Sequence, residues 1–344
     1  MGTPLLGTPL RNGLAGLLTC GALLATVTAC DPDNDSSSAP PGTTAAAANP
    51  RTTPSRTPAT TAPPADAAKG PYVALGDSYT AAPRVPDQDN SPAGCDRSSN
   101  NYPSVVARQL GLSGDDFTDV SCSGATTEDL TAAQSTDDGT NPAQLKALSD
   151  DTRFVTLGIG GNDIGFSDLI QSCVKQGLLY YATGSGKFTG ETPCKDKYVS
   201  GSSDEITDRI STLGTQLAAD LREIRDRAPE ARIFVVGYPE ILPPKSSETD
   251  GAADCGREMG LAPGDVTYLN QKERQLNEAL RDRAKAAGVS YVDTYTPSKG
   301  LGACADRTTR WVEPLIPLNQ AAPVHPNERG ERGMANAVLK ALKS

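Results

Sequence analysis

Five short apolar segments set between helical stretches constrain the fold of this chain more than anything else in it. Tyr72-Val73-Ala74-Leu75, residues 116–121, Phe154–Ile159, Arg232–Tyr238 and Val289–Asp293 have the length and apolar content of strands. Between them lie helical patterns. One starts at Tyr102-Pro103 and ends at Leu110 before Gly111, and a short one follows Asn141-Pro142. The spacing predicts a long helix over 204–228, with Ile206, Ile210, Leu213, Leu217, Leu221 and Ile224 on one face. A second long helix covers 266–287 and is closed by Gly288, and a last one runs to about Lys340. Residues 80–101 and 171–203 read as surface excursions. Strands that alternate with helices imply a three-layer α/β/α sandwich around a mostly parallel five-stranded sheet.

That domain begins near residue 70. Residues 31–69 are almost entirely Pro, Thr, Ala, Ser, Asp and Asn, with no Val, Ile, Leu or aromatic residue. Such a segment cannot bury enough apolar surface to offset its ordering entropy, so it reads as a tether. Residues 1–30 have the form of an export signal: Arg11, an apolar run from Leu14 to Ala29, then Val27-Thr28-Ala29-Cys30. The last four residues resemble the bacterial lipoprotein box, which would make Cys30 a lipidated first residue. The expected location is the cell surface, anchored in a bacterial plasma membrane through that lipid alone, with release of a soluble extracellular form left open.

The net charge is −10, and residues 1–69 hold four basic and four acidic residues, so the domain carries all of it. An acidic domain without a basic stripe is a poor fit for nucleic acid. Histidine occurs once, as His325, which excludes zinc motifs that need two. No cofactor fingerprint appears: Gly-Lys-Ser/Thr is absent, and the glycines at 158–161 do not form a dinucleotide motif. No cofactor or metal is expected, and a monomer is.

Setting aside Cys20 and Cys30 leaves Cys95, Cys122, Cys173, Cys194, Cys255 and Cys304. An even number in an exported domain reads as three disulfides, for which fifteen pairings exist. Sequential pairing closes three separate loops and is the expected one: Cys95–Cys122, Cys173–Cys194 and Cys255–Cys304.

Four motifs fall where strands end or loops begin: Gly76-Asp77-Ser78, Ser123-Gly124, Gly161-Asn162-Asp163 and His325-Pro326-Asn327. In a parallel sheet with right-handed crossovers, the carboxyl ends of the strands share one edge, so these loops can converge. Acyl transfer needs a nucleophilic oxygen, a nearby base, and donors aimed at the developing oxyanion. A serine, the one histidine, a glycine N–H and an amide side chain fill those roles. Gly-x-Ser-x-Gly, the nucleophile elbow of the other large esterase fold, is absent.

In order and position the four motifs resemble the four blocks of the SGNH (GDSL) hydrolase superfamily over residues 70–344. The resemblance implies a flavodoxin-like sheet and a serine hydrolase of lipid or short-acyl carboxylic esters. It makes Ser78 the nucleophile and first oxyanion donor, Gly124 and Asn162 the other two donors, and His325 the general base and acid. The Cys-Ser-Gly-Ala segment, Gly-Ile-Gly-Gly-Asn-Asp and the six domain cysteines are most similar to the actinobacterial secreted lipase/esterase branch, in which three sequential disulfides are expected. One departure stands out. The superfamily usually places Asp three residues before the histidine, and here that residue is Ala322. The nearest acids are Glu313 and Glu328, so the expectation is a Ser78–His325 dyad, with a backbone carbonyl near Ala322 orienting the imidazole.

Two other functions remain open on the same residues. One is a carbohydrate deacetylase or an acyltransferase acting on cell-wall polysaccharide, since fold does not decide substrate. The other is a noncatalytic ligand-binding lipoprotein, which would not need Ser78, Gly124, Asn162 and His325 together. Trp311, the one tryptophan, fits either an acyl pocket or the core.

Overall fold

The computed structural model describes residues 70–89, 91, 94–245 and 255–344. The signal, Cys30 and the whole of the tether lie outside the described residues. The central sheet contains β1 (Tyr72–Gly76), β2 (Phe117–Asp119), β3 (Phe154–Gly158), β4 (Arg232–Val236) and β5 (Ser290–Val292). All five are parallel, in the order β2-β1-β3-β4-β5. This is the flavodoxin-like order, whose switch point lies between β1 and β3. In both of those central strands every residue is buried, as expected of strands covered on both faces. The edge strand β2 is partly exposed.

Alternate side chains serve two cores. Val73, Leu75, Val155, Leu157, Ile233 and Val235 face one layer, while Tyr72, Ala74, Phe154, Phe234, Val236 and Val292 face the other. The helices are α1 (Ser78–Ala81), α2 (Tyr102–Leu110), α3 (Phe166–Ala182), α4 (Glu205–Arg227), α5 (Pro263–Ala286) and α6 (Glu328–Leu342), with one-turn pieces between them. Helices α3, α4 and α5 supply the first core, α2 and α6 the second. Asn101 caps α2 by accepting from Ser104 N–H, and Asp204 caps α4 by accepting from Ile206 and Thr207 N–H.

Three elements differ from expectation. Residues 171–182 are helical, as the second half of α3, because Phe166, Leu169, Ile170, Cys173, Gly177 and Tyr180 form a buried face at helical spacing. Gly177 hides that face from a sequence reading and is required by packing. A Cβ there would lie 2.0 Å from the Gly260 carbonyl oxygen. The segment after Pro142 is a single 3₁₀ turn, Gln144–Ala147, spent on reaching the sheet: Gln144 bonds both the N–H and the C=O of Gly76. Within 80–101, Gln88–Asp89 pairs antiparallel with Arg97–Ser98.

Three disulfides close, Cys95–Cys122, Cys173–Cys194 and Cys255–Cys304. Trp311 is half-buried and packs against the core on α6, where a Cβ on Gly333 would fall 2.2 Å from its ring, and it does not line the cavity of Ser78. Among the described residues no helix is long and apolar enough to cross a membrane, and no group of side chains has the form of a metal site.

Candidate active site

Ser78 opens α1 directly after β1, with Asp77 as its N-cap: the Asp77 carboxylate accepts from Tyr79 N–H. At the first helical position the Ser78 N–H has no intrahelical acceptor. Asp77 N–H bonds the Gly158 carbonyl, which fixes the turn against the end of β3. The side chain of Ser78 is half-buried, and its Oγ lies 2.8 Å from His325 Nε2.

His325 arrives from the far end of the chain on a loop held at several points. Val312 and Pro326 form an antiparallel bridge, Glu313 N–H donates to the His325 carbonyl, and Val324 N–H donates to that of Glu313. Tyr79 Oη donates to the Val324 carbonyl at 2.6 Å. Val324 sits at φ 60°, a left-handed conformation that costs a β-branched residue energy and persists only where its surroundings over-determine it. The other ring nitrogen, Nδ1, is 2.7 Å from the Pro323 carbonyl oxygen. A backbone carbonyl therefore faces Nδ1, and it belongs to Pro323 rather than Ala322, whose carbonyl accepts from the His325 N–H instead. The carbonyl accepts, which assigns the proton to Nδ1 and leaves Nε2 as the acceptor for the Ser78 hydroxyl.

Glu313 is not a partner of the imidazole. It is fully buried, and its carboxylate accepts from the N–H groups of Leu318 and Asn319 and from the side-chain amides of Asn319 and Asn327. Burial opposes ionisation, but these hydrogen bonds outweigh it and hold the carboxyl below its ordinary value. Its work is to shape the 313–319 loop and the start of α6.

Gly124 and Asn162 line the same cavity as Ser78 and His325. Gly124 is in a tight turn at φ 80°, and its N–H has no acceptor among the described residues. Asn162 Nδ2 donates to the Ala125 carbonyl at 2.8 Å, which ties the two loops together and leaves the second amide hydrogen uncommitted. Asp163, its neighbour, accepts from Thr127 N–H and Oγ1. The cavity holds about 650 Å³, and Phe166, Ile170, Ile241, Leu276 and Leu315 make much of it apolar. A larger groove of about 1080 Å³ contains none of the four residues Ser78, Gly124, Asn162 and His325 and is lined by charges of both signs, among them Arg274, Arg281, Glu278 and Asp293.

Burial pushes His325 below its ordinary value of 6.5, and the positive charge of Arg84 pushes the same way, against the Pro323 carbonyl. Burial also pushes Asp77 up to about 7, opposed by its hydrogen bonds from Tyr238 and Tyr79. Tyr79 and Tyr238 have no role predicted from the sequence, although Tyr79 directly follows the serine, while the Pro323 carbonyl is a backbone acceptor of the kind expected near Ala322. Pro323 acts through a carbonyl that every residue possesses.

Residues 74–332 match the model of the GDSL-like Lipase/Acylhydrolase family. "Lipase 2" of Streptomyces coelicolor is 40% identical over 272 residues, covering 79% of this chain and 85% of the relative. "Esterase" of Streptomyces scabiei is 30% identical, covering 79% and 86%. Among solved structures, phospholipase A1 from Streptomyces albidoflavus NA297 superposes with a TM-score of 0.62 at 26% identity, covering 79% of this chain and 99% of that one. The extracellular lipase from Streptomyces rimosus gives 0.61 at 27% identity, with the same coverage.

Proposed function

Because the chain belongs to the GDSL-like lipase/acylhydrolase family and is an ester hydrolase, we propose that it cleaves lipid acyl esters through a covalent acyl-enzyme on Ser78. The observation that carries the reading is the pair of contacts at one imidazole: 2.8 Å from Nε2 to Ser78 Oγ and 2.7 Å from Nδ1 to the Pro323 carbonyl. Ser78 Oγ attacks the ester carbonyl carbon while Nε2 takes its proton. The former carbonyl oxygen becomes an oxyanion that the N–H groups of Ser78 and Gly124 and the Asn162 amide stabilise. As the tetrahedral intermediate collapses, the bond to the alcohol oxygen breaks and His325 returns the proton to it. Water then attacks the acyl-enzyme with His325 again as base, freeing the acid and restoring Ser78. In this dyad the Pro323 carbonyl does the orienting work of a triad carboxylate.

The apolar lining of the cavity favours an acyl chain of several carbons over the acetyl group of a polysaccharide deacetylase. A serine-directed phosphonate should label the wild type and not Ser78→Ala. Hydrolysis of p-nitrophenyl esters from acetyl to palmitoyl should rise past acetate, and a maximum at acetate would transfer the assignment to the deacetylase reading. Export and anchoring through Cys30 belong to the same proposal. Metabolic labelling with an alkyne fatty acid should mark the wild type and spare Cys30→Ser.

A further inference from the structure

Two loops carry the oxyanion donors of the proposed site, and one phenol joins the second of them to the nucleophile turn. Tyr238 lies just beyond β4 and is 4% exposed. Its hydroxyl donates to Asp77 Oδ2 at 2.5 Å and accepts from Gly161 N–H at 2.8 Å. The other oxygen of Asp77 caps α1 through Tyr79 N–H at 2.9 Å. A continuous chain of hydrogen bonds thus runs from the helical turn that bears Ser78, through Asp77 and Tyr238, to the backbone N–H of Gly161, the residue before Asn162. The ring is held as firmly as the hydroxyl. It stands edge-on to Tyr79 with centroids 5.0 Å apart, and it lies so close to Gly161 that a Cβ there would meet the hydroxyl at 3.2 Å and the ring at 3.4 Å.

Each hydrogen bond in this chain strengthens the next. A hydroxyl that donates to a carboxylate is a better acceptor, so Asp77, ionised above its raised value of about 7, tightens the hold on Gly161 N–H. Asn162 itself is held by its side-chain amide on the Ala125 carbonyl and by its own carbonyl, which accepts from Gly165 N–H. With these contacts in place, the spare amide hydrogen of Asn162 is fixed relative to Ser78. An oxyanion donor must be set in advance to within a fraction of an ångström, since its value comes from needing no rearrangement during reaction.

We propose that Tyr238, held by Asp77, is a positioning residue that sets the Asn162 arm of the oxyanion hole against the nucleophile. This rests on the assignment of Ser78 and Asn162 made above. It separates Asp77 from the role of missing triad acid, which its engagement with Tyr238 and Tyr79 already precludes.

The test is Tyr238→Phe, which removes the hydroxyl and keeps the ring. Losing one oxyanion donor outright costs roughly 100- to 1000-fold in kcat, and a donor left in place but loosened should cost roughly 10- to 100-fold. KM should change little. A trifluoromethyl ketone of the substrate, which forms a tetrahedral adduct with serine, should lose affinity in parallel with kcat/KM. The matching methylene analogue, which forms no adduct, should bind as before. Asp77→Asn keeps the hydroxyl and removes the charge, so it should shift the same quantities in the same direction by less, and it serves if Tyr238→Phe does not fold. Unchanged kcat in the folded variants, or equal loss of affinity for both analogues, overturns the proposal. If Ser78→Ala stays active, the assignment of the site itself has failed; if only the Tyr238 and Asp77 variants behave as wild type, this inference alone has.

Discussion

Glu313→Gln decides whether the histidine works without a carboxylate, and its consequences can be worked from the contacts of that side chain. Oε1 accepts from the amides of Asn319 and Asn327 at 2.7 and 2.6 Å, and Oε2 accepts from the N–H groups of Leu318 and Asn319 at 2.9 and 3.0 Å. Glutamine keeps the shape but replaces one acceptor by an NH₂ group. Whichever way it turns, two donors then face a donor. At about 1–3 kcal/mol for each unsatisfied group, the variant should lose about 2–6 kcal/mol of stability, the lower end applying where the half-exposed N–H groups of Leu318 and Asn319 are the ones left unpaired. For a domain of this size that is roughly 2–4 °C of melting temperature per kcal/mol. Activity should behave differently. Measured well below the melting transition, kcat should stay near wild type and the acid limb of the pH profile should not move, because Glu313 touches neither ring nitrogen. Removal of a triad carboxylate costs about 10⁴-fold in kcat in the serine protease template. The assay is therefore denaturant unfolding paired with ester hydrolysis, with His325→Ala as reference. A folded Glu313→Gln as inactive as His325→Ala would refute the reasoning and make Glu313 the third catalytic group.

Three further outcomes follow from the same contacts. The proposed base form of His325 is the neutral imidazole, and its pKa lies below 6.5, so the steep acid limb of kcat/KM should lie below 6.5, beneath a shallower loss near 7 as Asp77 takes up a proton; Arg84→Gln removes a charge that depresses the His325 pKa, so the steep limb should move toward higher pH. Gly177→Ala should be destabilising although alanine favours helices by about 1 kcal/mol: its Cβ would press on the Gly260 backbone, which cannot swing aside as a side chain can, and overpacking of about 1–3 kcal/mol should prevail in a thermal melt. Replacing Cys95 and Cys122 together by Ala opens a loop with a sequence separation of 27, worth about 3–4 kcal/mol by chain entropy. Because Ser123 N–H donates to the Cys95 carbonyl beside Gly124, kcat should fall in that variant even where it remains folded.

The parts of this molecule open to sequence reading are those whose cause is local. The central strands are apolar runs because both their faces are covered, and α4 announces itself because Ile206 to Ile224 repeat at the period of a helix. The second half of α3 was hidden because its buried face includes Cys173 and Gly177, and the second is glycine for the sake of Gly260, some 80 residues away. The same division runs through the site. Ser78, Asn162 and His325 carry recognisable side-chain chemistry, Gly124 falls in a recognisable motif, and the structure gathers all four at one cavity. What orients them does not carry such a signal. Tyr238 has no motif, since its meaning depends on Asp77 and Gly161 arriving from two other strands.

The acceptor for His325 is the limiting case. A backbone carbonyl has no sequence signature, and only backbone conformation decides which one meets Nδ1. Here that conformation includes the left-handed Val324, one residue before the histidine, with its carbonyl held by Tyr79 and its N–H by Glu313. An aspartate three residues earlier would have been visible in the sequence, whereas the Pro323 carbonyl is presented by a strained turn whose two anchors lie next to the nucleophile and in a buried acid. Glu313 is thus bound to the active site after all, through its main chain. Its carboxylate builds the loop, its carbonyl and N–H clamp the turn, and the turn delivers the carbonyl that meets Nδ1.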